Sequence, residues 1–184
     1  MNMKTIYIVV GAIFIVCLLV FLSASGYINL GGLFNIFEND PANPGNDIVD
    51  ADEIIDLGLS DRELHLIISF MTNTSPPYAQ HQTFINGLHM KAYGINGVTA
   101  YSVLQDYENS YSDEGFTSYT DGVKHGTGWT AYAEVWYNDV AMGRAITVGD
   151  GSAIHNAYGY DVVLITSYGP IIDYYDYVTF LSMY

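Results

Sequence analysis

The chain has few basic residues and almost no cysteine: Lys and Arg number 5 against 20 Asp and Glu, and there is 1 Cys in 184 residues. A formal charge of −15 at pH 7 excludes the ordinary nucleic-acid binder, which needs basic side chains to displace counterions from phosphates. A single thiol excludes an internal disulfide framework and any cysteine-rich zinc or iron–sulfur centre. What the chain does have is apolar and aromatic surface. Half the residues are hydrophobic, with 17 Tyr, 8 Phe and 2 Trp. That argues against a largely disordered chain.

The longest apolar run is Thr5 to Leu22 (TIYIVVGAIFIVCLLVFL), and it carries no charge. As a helix it spans about 27 Å, close to the hydrocarbon thickness of a bilayer. Lys4 precedes it, and all of the acidic charge follows it. The positive-inside rule then keeps the N-terminus cytoplasmic and places the body outside. The expectation is a transmembrane signal-anchor over 1–25, with residues 5–22 in the lipid bilayer. The competing reading is a signal peptide cut after Ser25, but the run exceeds the usual length of such an h-region. Cys17 lies mid-run behind Phe14-Ile15-Val16, which suits a small apolar side chain in a membrane better than a lipid attachment site.

Residues 26–60 read as an interfacial segment and an acidic linker. Tyr27 suits the headgroup level. Between Glu38 and Glu63 there are 9 acidic residues and one base, Arg62, with Pro41 and Pro44 among them. A solvated linker is the simplest reading. An EF-hand loop from Asp50 fails, because Ile54 and Ile55 stand where an oxygen ligand and a glycine are required.

Residues 61–184 read as one extracytoplasmic α+β domain, with helices packed on an antiparallel β-meander and a short C-terminal helix. Ser60 and Glu63 have capping-box spacing. Leu64, Ile67, Ile68 and Met71 follow at helical intervals, which predicts a helix over 61–72. A second helix is expected to start at Pro76-Pro77 and to carry His81, Phe84, Ile85, Leu88 and Ala92 on one stripe. A third, over 98–112, presents Ala100, Val103, Leu104, Tyr107 and Tyr111, with Gly97 before it and Gly115 after it. Beyond Phe116 the period changes. Trp129–Tyr137 and Val140–Val148 read as a hairpin, and Asp161–Tyr168 as a buried strand closed by Gly169-Pro170. The glycines around Lys124 read as a flexible hairpin, and Gly149-Asp150-Gly151-Ser152 as a turn.

No residue pattern amounts to a catalytic signature. None of the five histidines (His65, His81, His89, His125 and His155) has a neighbour at helical metal-ligand spacing, so neither a metal nor a cofactor is expected. Arg144 depends on the hairpin register. With a two-residue turn at Asn138-Asp139 it lies opposite Ala133 and needs an anion or an internal carboxylate. With a three-residue turn it faces Glu134 as a cross-strand ion pair. The second register avoids a buried unpaired charge and is preferred on that ground. Asp173, Tyr174, Tyr175, Asp176 and Tyr177 form a possible partner surface, although rings at a core edge explain them more simply. Asn73, in Asn73-Thr74-Ser75, is a glycosylation candidate. The functional expectation is a membrane-anchored extracytoplasmic domain that meets an unknown protein partner outside the cell and binds no nucleic acid. The alternative is a small-ligand-binding or sensing ectodomain and, behind it, an exported hydrolase.

Overall fold

A computed structural model of the protein describes residues 52–184. The proposed membrane segment Thr5–Leu22, and the linker as far as residue 51, lie outside them. Among the described residues no helix is long and apolar enough to cross a membrane.

The order is β1 (Glu53–Asp56), α1 (Asp61–Thr72), α2 (Tyr78–Gly87), β2 (Lys91–Asn96), α3 (Ala100–Asp113), β3 (Thr117–Gly126), β4 (Trp129–Tyr137), β5 (Met142–Asp150), α4 (Ser152–Tyr158), β6 (Val162–Pro170) and α5 (Ile171–Ser182). All six strands join one antiparallel sheet in the order β1-β2-β6-β5-β4-β3. β4 to β6 form the expected meander, and the fold is α+β; β3, where a flexible hairpin was expected around Lys124, adds a further strand to it. β1 and β2 extend the sheet beyond β6.

The two faces of the sheet carry separate cores. On one, Leu64, Ile67, Ile68 and Met71 of α1 join Ile154 of α4, and Tyr174 and Phe180 of α5, over Ala131, Val163 and Ile165. On the other, α3 is the one helix among the described residues that covers Tyr93, Ile95, Trp136, Ile146, Val148 and Leu164, with Ala100, Val103, Leu104, Tyr107 and Tyr111. β6 therefore shows how a central strand is read. Its side chains alternate between two buried faces, which is why its sequence is an unbroken apolar run.

Local chemistry sets the helix starts. Ser60 and Glu63 make the capping box at α1, and Asn73 ends that helix in a left-handed conformation at φ 53. Thr99 and Ser102 cap α3 in the same reciprocal way. Asp150 adds a carboxylate that accepts from the Ala100 N–H at 2.8 Å, where an acid complements the helix N-terminus.

The structure corrects four further expectations. Glu53–Asp56, read as part of the solvated linker, form an edge strand that pairs with Asn96–Tyr93. The second helix stops at Gly87. His89 takes φ 44 and turns the chain, so that Ala92 is in β2, not on the helical stripe. β2 was hidden because Gly94 interrupts it, and the Tyr160 ring occupies the space a side chain there would need. Ser152–Tyr158 is a helix, α4, and the turn before it is shorter than expected.

The fourth correction is the β4–β5 register. Tyr137 pairs with Gly143 and Trp136 with Arg144, so neither short-turn register holds. Asn138 is the reason. Its side-chain oxygen accepts from the N–H groups of Val140 at 3.2 Å and Met142 at 3.1 Å. This Asx-type capping holds a longer loop, with Ala141 at φ 60.

Candidate functional site

Three groupings of polar or exposed side chains stand out. The first involves Arg144 and Glu134. The observed register leaves them on one face of the sheet but two positions out of line, because a slip of two residues preserves the face. Arg144 reaches across to α3's end. Its guanidinium is 2.7 Å from the Glu114 carboxylate and lies over the Phe116 ring at 4.7 Å and the Tyr111 ring at 5.2 Å. The expected Glu134–Arg144 pair is thus replaced by Glu114–Arg144. Arg144 is a structural clamp between α3 and β5.

Glu134 is 7% exposed and accepts from the Trp136 indole N–H at 2.9 Å. Burial pushes its carboxyl up to about 7; the indole hydrogen bond opposes that rise, while Glu108 on α3, hydrogen-bonded to it, and Asp121 on β3 add to it. The Glu108 carboxyl beside it disfavours a second negative charge at Glu134. α3 covers Glu134, so it is poorly placed to reach a substrate, while Glu108 on that helix is half-buried.

The second grouping was not foreseen. His65 of α1 and His81 of α2 meet Nδ1 to Nδ1 at 2.8 Å. His81 Nε2 lies 2.7 Å from the Tyr177 hydroxyl. His81 is fully buried, and burial, with the nearby His65, lowers its pKa to about 4. Burial, then the Arg62 charge, lowers His65. A neutral pair is required, with one ring donating and the other accepting. The signal was the short connection at 73–77, since a helical hairpin turns residues on its two arms toward each other. Among the described residues no three His, Cys, Asp or Glu side chains converge as metal ligands.

The tyrosine cluster divides. Tyr174 and Tyr177 are buried. The Tyr174 hydroxyl bonds Ser167 at 2.8 Å, and burial raises both phenols well above the ordinary value. They are core. Asp176 is exposed, while Asp173 and Tyr175 are half-buried.

That remnant borders the third grouping, the edge strand β3. Almost every residue of β3 is exposed, on both faces of the sheet, because the helical layers end over β4 and β5. Tyr119 is 45% exposed and Val123 48%, and the Tyr119 ring meets that of Tyr175 at a tilt of 50°, with centroids 4.6 Å apart. Nearby, an open groove of about 460 Å³ runs between Phe70, Asn73 and Ser75 at the end of α1 and His125, Gly126 and Trp129 at the hairpin tip. Asn73 is exposed on its rim.

Fold and site together define an α+β domain in which no described strand pairs with the outer side of β3. No protein-family model matches the chain, and neither a curated protein nor a solved structure does.

Proposed function

We propose that the protein is a membrane-anchored, extracytoplasmic interaction domain whose partner is met along the β3 edge. One observation carries the reading. Ten consecutive residues, Thr117–Gly126, form an outermost strand exposed on both faces. Such a strand offers a row of main-chain donors and acceptors to another polypeptide. Tyr119, with Tyr175 beneath it, and Val123 add apolar area beside that row. The anchor rests on the uncharged run Thr5–Leu22, and the external placement on Lys4 before it and the acidic body after it.

A photo-reactive residue placed at Tyr119 in the full-length chain, in intact cells, tests the surface. An adduct of higher mass is expected there and not from Leu66, which is 56% exposed on α1. External protease added to the same cells is expected to remove the body. Equal labelling at both positions overturns the surface, and full protection overturns the topology. A second reading, a small polar ligand stacked on Trp129, is favoured by the groove beside Phe70. It predicts instead that Trp129→Ala removes ligand-dependent fluorescence changes and leaves the cross-link intact.

A further inference from the structure

The hydrogen-bonding groups of β3 divide by position. The β3–β4 hairpin closes on Gly126 opposite Trp129, leaving Thr127-Gly128 as a two-residue turn, with Gly128 at φ 77. The pair that closes such a hairpin turns its N–H and C=O groups toward each other, and the pattern alternates along the strand. Lys124 and Gly122 therefore also bond inward to β4. Asp121, Val123 and His125 direct their main-chain groups away from the sheet, and all three are exposed.

We propose that this edge pairs with the same edge of a second copy of the chain, antiparallel about a two-fold axis at Val123, so that two six-stranded sheets become one. The proposal rests on the interaction reading above and names its partner. A two-fold axis normal to the sheet keeps each face continuous, so facing residues must come from the same face. Three centres near the middle of the straight stretch satisfy this: Gly122, Val123 and Lys124. Only centring on Val123 brings all three outward residues against outward residues. Centring on Gly122 leaves His125 against the irregular stretch at Tyr119, where the register shifts between Ser118 and Thr120. Centring on Lys124 leaves Asp121 against the turn residue Thr127.

The side chains agree with this choice. Around Val123, each Asp121 carboxylate stands across from the imidazole of the other copy's His125, an acceptor facing a donor, twice in the dimer. The two Val123 side chains, each 48% exposed in the single chain, meet at the axis. His125 Nδ1 lies 3.2 Å from the Thr130 hydroxyl of its own chain, which leaves Nε2 for the carboxylate, and hydrogen-bonding and apolar side chains placed directly across strands stabilise a sheet. On the other face Lys124 meets Gly122. No atom lies within 4 Å of where a Cβ on Gly122 would stand, so the lysine stem has room. A charged edge lysine commonly blocks strand addition; here it meets a glycine of the second copy, not another lysine.

The test uses the full-length chain with Cys17→Ser, so that no native thiol remains, and single cysteines introduced as Gly122→Cys, Val123→Cys or Lys124→Cys. Facing residues in an antiparallel pair have Cα atoms about 5.5 Å apart, within disulfide reach. A cysteine one position off the axis meets its mate only diagonally, at about 7–8 Å, and is out of reach. Under mild oxidation Val123→Cys should give a covalent dimer about tenfold faster than either neighbour. Equal rates at all three positions, or none at Val123, overturn the proposal. Val123→Pro removes an outward N–H that the single chain does not use, and edge strands tolerate proline. It should keep the circular dichroism spectrum and lose the dimer in light scattering; a surviving dimer overturns the proposal. A photo-adduct at Tyr119 to a different protein, without the Val123→Cys dimer, overturns self-pairing and leaves the interaction reading standing. No adduct and no dimer overturn both.

Discussion

Glu134 and His81 are buried titratable groups with opposite linkage to stability. Glu134 binds its proton more tightly in the folded chain, with a pKa of about 7 against the ordinary 4.5. The folded state therefore holds more protons than the unfolded state between these values, and stability falls as pH rises through that window. His81 is the reverse. Its folded pKa is about 4 against 6.5, so stability falls as pH drops from 6.5 toward 4. The windows overlap, and in the native chain the two slopes offset one another. Glu134→Gln should separate them. Gln resembles the protonated acid, so the variant should match the native chain near pH 4.5 and exceed it at pH 8 by about 1–3 kcal/mol. Its remaining acid sensitivity should come from the His65–His81 pair, both of whose pKa values are lowered in the folded chain, with stability lost below pH 6.5. Denaturant midpoints measured across pH 4–8 check both slopes. A stability gap that does not change with pH would remove Glu134 from this account.

Among the elements, α3 was the most legible. Five apolar residues at helical spacing predicted a face, and Ala100, Val103, Leu104, Tyr107 and Tyr111 are all buried. Leu104 is 5% exposed in the core that, among the described residues, only this helix covers. Leu104→Ala should cost roughly 2–5 kcal/mol in chemical denaturation, and a loss under about 0.5 kcal/mol would place the side chain at the surface. The β4–β5 hairpin shows the opposite case. Its strands could be read, but its register could not, and the two registers weighed put Arg144 on opposite faces of β4. Turn length depends on a side-chain hydrogen bond, the Asn138 oxygen on the N–H groups of Val140 and Met142. Nothing in residue type alone distinguishes that loop from a shorter turn. The consequence is large for a pairing expectation, since a slip of two residues exchanges Glu134 for Trp136 as Arg144's neighbour.

For the molecule as a whole, charge and hydropathy carry the argument. From Leu64 onward there are 11 acids against Lys91, Lys124 and Arg144. Those three bases do not gather. Arg144 is paired with Glu114, and Lys91 and Lys124 lie on β2 and β3, at opposite sides of the sheet. Random duplex DNA should therefore show no salt-sensitive binding in an electrophoretic shift at physiological salt. Measurable binding that weakens with salt would show a basic surface that neither composition nor fold provides.

Periodicity, capping residues and composition were enough to reach α+β class, α1, α3, the strands β4 to β6 and the buried character of β6. Each of these follows from local spacing, because a residue's face within a helix or strand depends on its near neighbours. Long-range placement was not accessible in that way. β1 came from an acidic stretch and β2 from a helical stripe, since both owe their hydrogen bonds to strands distant in sequence. Tyr174 became core because Gly143 leaves space under its ring, and His65 met His81 because α1 and α2 fold back on each other. The open edge at β3 is of the same kind. A strand is an edge only when nothing else in the chain pairs with its far side, and that depends on where every other strand has gone.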